Sequence, residues 1–240
     1  TPLYSSAASD VYKRQEGVAI ASVAAAAISW LIFMLPHSVV TVSVATAYFT
    51  KMSEHVQKNQ IHLMKADLRS SLRIVVLVNT FSSIALILLS LPVARVFVGE
   101  FDSTVALGNV LFATMFGLIP FGMVFMFQRA FYALEDTRTP FVFTSVQIAF
   151  HIAGSIYLFF NMESQFLVMS LAGLTSLTIL IQALTAYLLL RRRIGPIGAP
   201  PKGHALTLRV TVAGFVTFAV GVASIVFLGG IREDLSLIHI

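Results

Sequence analysis

The feature that most constrains this chain is a succession of long apolar runs free of Asp, Glu, Lys and Arg, separated by short charged stretches. Residues 104–128 and 141–160 are two such runs, and only the polar island 129–140 lies between them. About 20 apolar residues in a helix match the hydrocarbon thickness of a bilayer, so recurrent charge-free runs argue transmembrane helices. A large apolar soluble core is the competing reading, and the charge content opposes it. The chain is 57% hydrophobic and 11% charged, with mean hydropathy +0.87; a soluble domain carries about 25% charged residues. The expected fold class is all-α, a polytopic transmembrane helix bundle of about six spans.

The runs place spans at about residues 17–50, 74–95, 104–128, 140–160, 165–190 and 206–229. Pro36 predicts a kink in the first, with two shorter helices broken at residues 35–37 as the alternative. Pro120, with Gly117 and Gly122, predicts a bend or close helix approach in the third, where neighbouring groups can re-satisfy the backbone. Pro140 suits the first turn of the fourth. Residues 51–73 carry Lys51, Lys58, Lys65, Arg69 and Arg73. With Ile61, Leu63, Met64 and Leu68 they read as an amphipathic linker lying at the interface. Residues 1–15 are polar and aperiodic and residues 234–240 follow the last span abruptly. Both resemble adapter-derived sequence, so residues 16–233 are expected to form the bundle and to be a piece of a longer protein.

Loop charge sets orientation. The segments 51–73, 129–138 and 191–209 hold twelve Lys and Arg, including Arg191, Arg192 and Arg193. The opposite loops hold Arg95 and Arg232 with Glu100, Asp102 and Glu163. The positive-inside rule then puts the basic segments in the cytoplasm and runs the first span from outside to inside. This one-sided distribution also accounts for the net charge of +5 without a nucleic-acid partner.

The residues offer little reactive chemistry. The absence of cysteine excludes disulfides, thiolate metal sites and thiol catalysis. No HExxH, phosphate loop or nucleophile elbow occurs, and no span carries a carboxylate pair, so no catalytic residue, metal or cofactor is assigned. The ionisable residues within spans are His37 and His151, candidates by default for a functional site. His37, beside Pro36 and Ser38, reads either as a cavity or proton-coupling group or as a neutral donor to a carbonyl freed by the proline. Gln147, His151 and Ser155 share one helix face, which lines a cavity or joins two helices.

The island itself reads Arg129-Ala-Phe131-Tyr132-Ala-Leu-Glu-Asp136-Thr137-Arg138-Thr139-Pro140. It resembles the loop pattern R-x-F-Y-A-x-x-D-T-[RK]-T-P of the MurJ/MviN lipid II flippases, members of a larger multidrug and polysaccharide exporter superfamily. The stretch from Leu35-Pro36-His37-Ser38 through Ser43, Thr46 and Lys51-Met52-Ser53 is similar to a second family pattern. The resemblance implies half of a two-bundle, MATE-like transporter, supplying spans eight to thirteen of fourteen. It implies a multi-pass protein of the bacterial inner membrane that moves an undecaprenyl-pyrophosphate-linked sugar-peptide by alternating access for cell-wall synthesis. Membrane lipids and an amino-terminal half of the same protein would be its partners. Asp136 is expected to cap the following helix, with Arg129 and Arg138 as gate or structural charges. This sequence departs from the pattern at Trp30 and Leu31, where many members carry an Asp-Arg pair, and at Ser38 and Thr41, where glycines are expected. The alternatives are a flippase for another polyprenyl-linked glycan, a drug or cation exporter, or an intramembrane enzyme.

Overall fold

The structure is a computed structural model and describes residues 12–15, 18–21, 23–98 and 101–197. The expected sixth span, 206–229, lies outside these residues, as do Glu100 and Arg232. Strands β1 (Tyr12–Gln15) and β2 (Val18–Ala21) pair antiparallel, Tyr12 opposite Ala21 and Gln15 opposite Val18. Among the described residues, five helical segments are long and apolar enough to cross a membrane: Val23–Gln57, Ile61–Leu88, Phe101–Ala133, Arg138–Asn161 and Ser164–Ile194.

The first span begins at Val23, six residues later than its apolar run, because Val18–Ala21 is paired as a strand. It comprises α1 (Val23–Pro36), a five-residue π segment (His37–Thr41) and α2 (Val42–Gln57). Pro36 cannot donate to the turn before it, yet the helix is not broken into two. One residue is absorbed in a wider turn, closed by the Val42 amide donating to His37 O.

Residues 51–73 are not a separate interfacial helix. Their first part completes α2, and the rest opens α3 (Ile61–Leu88), after a three-residue turn. In that turn Asn59 has φ 57°, and the amides of Asn59 and Gln60 donate to Val56 O and His55 O. This closure satisfies the last carbonyls of α2. The apolar face that suggested an interfacial helix is buried against the bundle, with Met52, Met64 and Leu68 all fully buried.

Leu89 ends α3, and the short α4 (Ser90–Phe97) follows, carrying Pro92 in its first turn where its missing N–H is harmless. The third span is α5 (Phe101–Met115) and α6 (Leu118–Ala133), interrupted at Phe116 and Gly117. The last two spans are α7 (Arg138–Asn161) and α8 (Ser164–Ile194). Beyond α8 the chain turns at Gly195 (φ 77°), and Arg69 of α3 holds it by donating to Ile197 O at 2.5 Å.

The apolar core is divided along the bundle. At the basic end, Met52, Met64, Leu68, Phe127, Phe131 and Phe143 pack with Ala183 and Leu190 of α8. Toward the other end, Ile32, Phe33, Leu111, Met115 and Leu118 form one cluster, and Ala25, Ala94, Leu107 and Val110 another. Buried Thr41, Asn79, Ser83 and Ser176 lie between. Helix α7 packs mainly on α8, with Gly154 letting Leu174 approach closely, and leaves Phe141, Ile152, Ile156 and Phe159 facing outward as a lipid-contacting helix does.

Candidate functional site

The turn between α6 and α7 joins two capping motifs through one residue. Helix α6 closes with Glu135 in the left-handed region (φ 57°), its amide donating to Tyr132 O at 3.0 Å. The Asp136 amide donates to Phe131 O at 2.9 Å. These two bonds are the Schellman closure of a helix. The carboxylate of the same Asp136 then starts α7. Its Oδ1 accepts from the amides of Arg138 (3.1 Å) and Thr139 (3.0 Å), and its Oδ2 accepts from the Thr139 hydroxyl (2.7 Å). Amides at a helix start have no intrahelical acceptor, and an aspartate there supplies one along with favourable charge. The Thr139 hydroxyl and amide hold the Asp136 carboxyl below its usual range, helped by the Arg138 amide and the charge of Arg193, with partial burial opposing.

The other residues of the turn divide by direction. Phe131 is fully buried and its ring lies 6.0 Å from that of Phe143, pinning the end of α6 to the start of α7. Pro140 is buried in the first turn of α7, while Tyr132, Thr137 and Arg138 are exposed. Arg129 is half-buried, its guanidinium 4.9 Å from the Phe125 ring centre and 5.8 Å from that of Phe49. Such contacts contribute ~0.5–1 kcal/mol each at exposed sites. Arg129 therefore ties α6 to α2 as the turn ties α6 to α7.

Arg129 is one end of an aromatic ladder along the seam between the first span and α6. Trp30 stacks on Phe33 at 4.9 Å, Phe33 meets Phe121 at 5.4 Å, and His37 sits 4.5 Å from Phe121 and 5.2 Å from Phe125. His37 is only 4% exposed, and its Nδ1 is buried without a hydrogen-bond partner. Of the two readings above, a donor to a carbonyl freed by Pro36 finds no support at this nitrogen, and the ring lies against the two phenylalanines. Ser38 instead points outward and donates to Leu35 O at 3.1 Å.

Gln147 and His151 face α8 rather than an open cavity. Gln147 Nε2 donates to Thr178 Oγ1 at 3.4 Å, and His151 Nδ1 lies 3.5 Å from the same hydroxyl. Gln182 returns a bond to Thr144 at 3.2 Å, while Ser155 is half-buried and outside this set. Side-chain hydrogen bonds between membrane helices are worth about 0.6 kcal/mol on average, so the pair is joined by several weak links.

Sequence reasoning looked for ionisable groups and so passed over the buried polar layer. Asn79 donates to Thr41 Oγ1 (3.2 Å) and to Leu118 O (3.3 Å), and Ser83 donates to Met115 O (2.8 Å). Ser176 donates to Ala113 O (2.8 Å) and approaches Thr114 O (3.2 Å). Asn79 and Ser83 are four residues apart on one helix face, a spacing visible in the sequence. Thr41, one of the two residues standing where glycine was expected, is fully buried here, and Gly122 on the opposite helix supplies the space.

With this geometry established, comparison with known proteins gives one answer. A sequence profile described as "Lipid II flippase MurJ" matches residues 8–233. The chain belongs to that family. A "Probable lipid II flippase MurJ" of Rhizobium tropici is 32% identical over 152 residues, covering 60% of this chain and 28% of the relative. A "Lipid II flippase MurJ" of Thermosipho africanus (strain TCF52B) is 30% identical over 118 residues, covering 48% and 24%. A solved structure titled "Lipid II flippase MurJ, inward closed conformation" superposes with a TM-score of 0.62 at 18% identity, over 82% of this chain and 46% of that one, which establishes the shared helical fold. The chain thus matches about a quarter of the length of the curated relatives and under half of the solved structure. It is a multi-pass membrane protein of a transporter family. The family match begins at residue 8, inside the segment read above as foreign.

Proposed function

We propose that this chain is the carboxy-terminal-half segment of an inner-membrane flippase that carries lipid II, the undecaprenyl-pyrophosphate-linked precursor of peptidoglycan, from the cytoplasmic to the outer leaflet. The observation that carries the reading is the family match across residues 8–233, a range that includes a loop whose Asp136, Thr139 and Phe131 have definite structural tasks. The basic end, with Lys51, Arg69, Arg129, Arg138 and Arg191–Arg193, faces the cytoplasm under the positive-inside rule. The segment acts as one of two bundles that rock about a midplane site. Its apolar α7 face meets lipid, and its substrate chemistry is shared with an amino-terminal bundle.

Within this reading the 129–140 turn is a staple. Asp136 fixes the angle between α6 and α7 while Arg129 holds α6 to α2, so these helix ends move as one body. The spans described hold no Arg or Lys at the level of the polar layer, and Trp30 and Leu31 occupy the positions of the family's Asp-Arg pair. The cations that grip the pyrophosphate are therefore assigned to the other bundle. The test is depletion of the full-length protein in spheroplasts of a strain without another flippase. Loss of labelled precursor from the outer leaflet is expected; undiminished outer-leaflet precursor would sink the proposal.

A further inference from the structure

Two irregular helices meet at one level of the bundle, and polar side chains are placed on the carbonyls exposed there. The span Phe101–Ala133 is interrupted at Phe116 and Gly117, and Pro120 has no N–H to return to Phe116 O. The last carbonyls of α5 thus lose intrahelical donors, and hydrocarbon offers no water to replace them. Ser83 donates to Met115 O and Ser176 to Ala113 O, both at 2.8 Å, while the Gly117 amide donates to Thr114 O at 3.0 Å. Across the break, Asn79 donates to Leu118 O and reaches Thr41, the last residue of the π segment in the first span. Two glycines leave room for this fit, tightly at Gly117 and closely at Gly122. A Cβ on Gly117 would lie 3.1 Å from Ser176 Oγ, and one on Gly122 would lie 2.3 Å from Asn79 Nδ2.

The two sides of the break belong to different cores. Leu107, Val110, Leu111 and Met115 of α5 pack in the clusters away from the basic end, joined from α6 by Leu118 and the partly buried Phe121, the residues nearest the break. Val124, Phe127 and Phe131 of α6 pack in the basic-end cluster. A bend at Phe116–Gly117 falls in the polar layer, and the larger part of each core lies to one side of it. We infer that this break is a hinge within the third span, and that Ser83, Ser176 and Asn79 are its clasp, positioning residues that act through the backbone of the broken helix. Ser176 has two acceptors one residue apart, at 2.8 Å and 3.2 Å. Rotation of α5 against α8 can exchange one for the other, so the Ser176 hydroxyl keeps an acceptor through the movement. Asn79 Oδ1 is buried without a partner, so the same layer holds an acceptor free for an amide exposed by bending. The inference is independent of what the protein carries.

This segment has no cysteine, so label pairs can be placed in it once any cysteines elsewhere in the full-length protein are replaced. Exposed Asn109 on α5 and Tyr132 on α6 bracket the break and lie about 35 Å apart along a straight helix, within reach of pulsed electron paramagnetic resonance. Exposed Leu63 and Phe81 on the uninterrupted α3 report the spread of the labels themselves. In the full-length protein carrying this segment, in lipid nanodiscs, the 109–132 distance distribution is expected to be broader than the 63–81 distribution. The double substitution Ser83→Ala with Ser176→Ala broadens or shifts it further, and Ser83→Thr with Ser176→Thr, which keep the hydroxyls, bring it back. Pro120→Ala restores the missing N–H and narrows it, and this variant carries the test if the alanine pair fails to insert. A 109–132 distribution as narrow as the control and unmoved by Pro120→Ala, or threonine variants that behave like the alanine ones, would overturn the hinge.

Discussion

Replacing Asp136 by alanine isolates the cap at the start of α7. The substitution removes the acceptor for the amides of Arg138 and Thr139 and for the Thr139 hydroxyl, and deletes a negative charge at a helix start. Loss of a capping side chain costs ~1 kcal/mol, and loss of the charge at a half-exposed site a further ~0.3–1 kcal/mol. A local penalty of about 1–2 kcal/mol corresponds to a roughly 5- to 30-fold change in the opening equilibrium. Hydrogen–deuterium exchange at the Arg138 and Thr139 amides reads this directly, and both should exchange faster by that factor in Asp136→Ala. Asp136→Asn retains an acceptor of the right length and should recover most of the protection. The carboxyl is held below its usual range when folded, so its stabilising contribution is fully present above the ordinary aspartate pKa of ~3.9. It is lost as pH falls through the lower folded value. Equal exchange in wild type and Asp136→Ala at neutral pH would refute the assignment of Asp136 as the cap.

Three further outcomes follow from neighbouring geometry. Glu135 occupies a left-handed conformation that costs a side-chain-bearing residue ~1–2 kcal/mol, so Glu135→Gly should raise thermal stability by about 1 kcal/mol. Phe131→Ala should cost ~3–5 kcal/mol because the ring is fully buried, whereas Tyr132→Ala beside it, with the ring exposed, should stay within about 0.5 kcal/mol. Gly122→Ala forces a methyl against Asn79 and Val75 and should destabilise by ~1–3 kcal/mol. Adding Asn79→Ala should recover part of that loss, a coupling measurable by a double-mutant cycle in detergent unfolding.

The five described spans were legible because the bilayer demands a charge-free stretch of fixed length, and hydropathy reports that stretch directly. Helix ends were less so. Charge marks where the hydrocarbon ends, whereas helices continue to the next cap, so α2 runs on to Gln57 and α8 to Ile194. The turns at Asn59 and Glu135 place ordinary side chains at positive φ, without the glycine that signals such a closure. The break at Phe116 and Gly117 lies inside a seamless apolar run; Gly117 and Pro120 hinted at a bend, but only the partners Ser83 and Ser176 give it a position. His37 was visible as an ionisable group in a span. Its neighbours Phe121 and Phe125 come from a helix more than eighty residues later, which no local pattern reveals.

Transport by the reconstituted full-length protein is the most direct test of the central claim. Proteoliposomes would carry labelled lipid II on one leaflet, with a membrane-impermeant enzyme reporting its arrival on the other. The account predicts transfer in the presence of the protein and slower transfer with Asp136→Ala, whose staple is weakened. No transfer above protein-free vesicles, under conditions where another member of the family moves the same lipid, would contradict it.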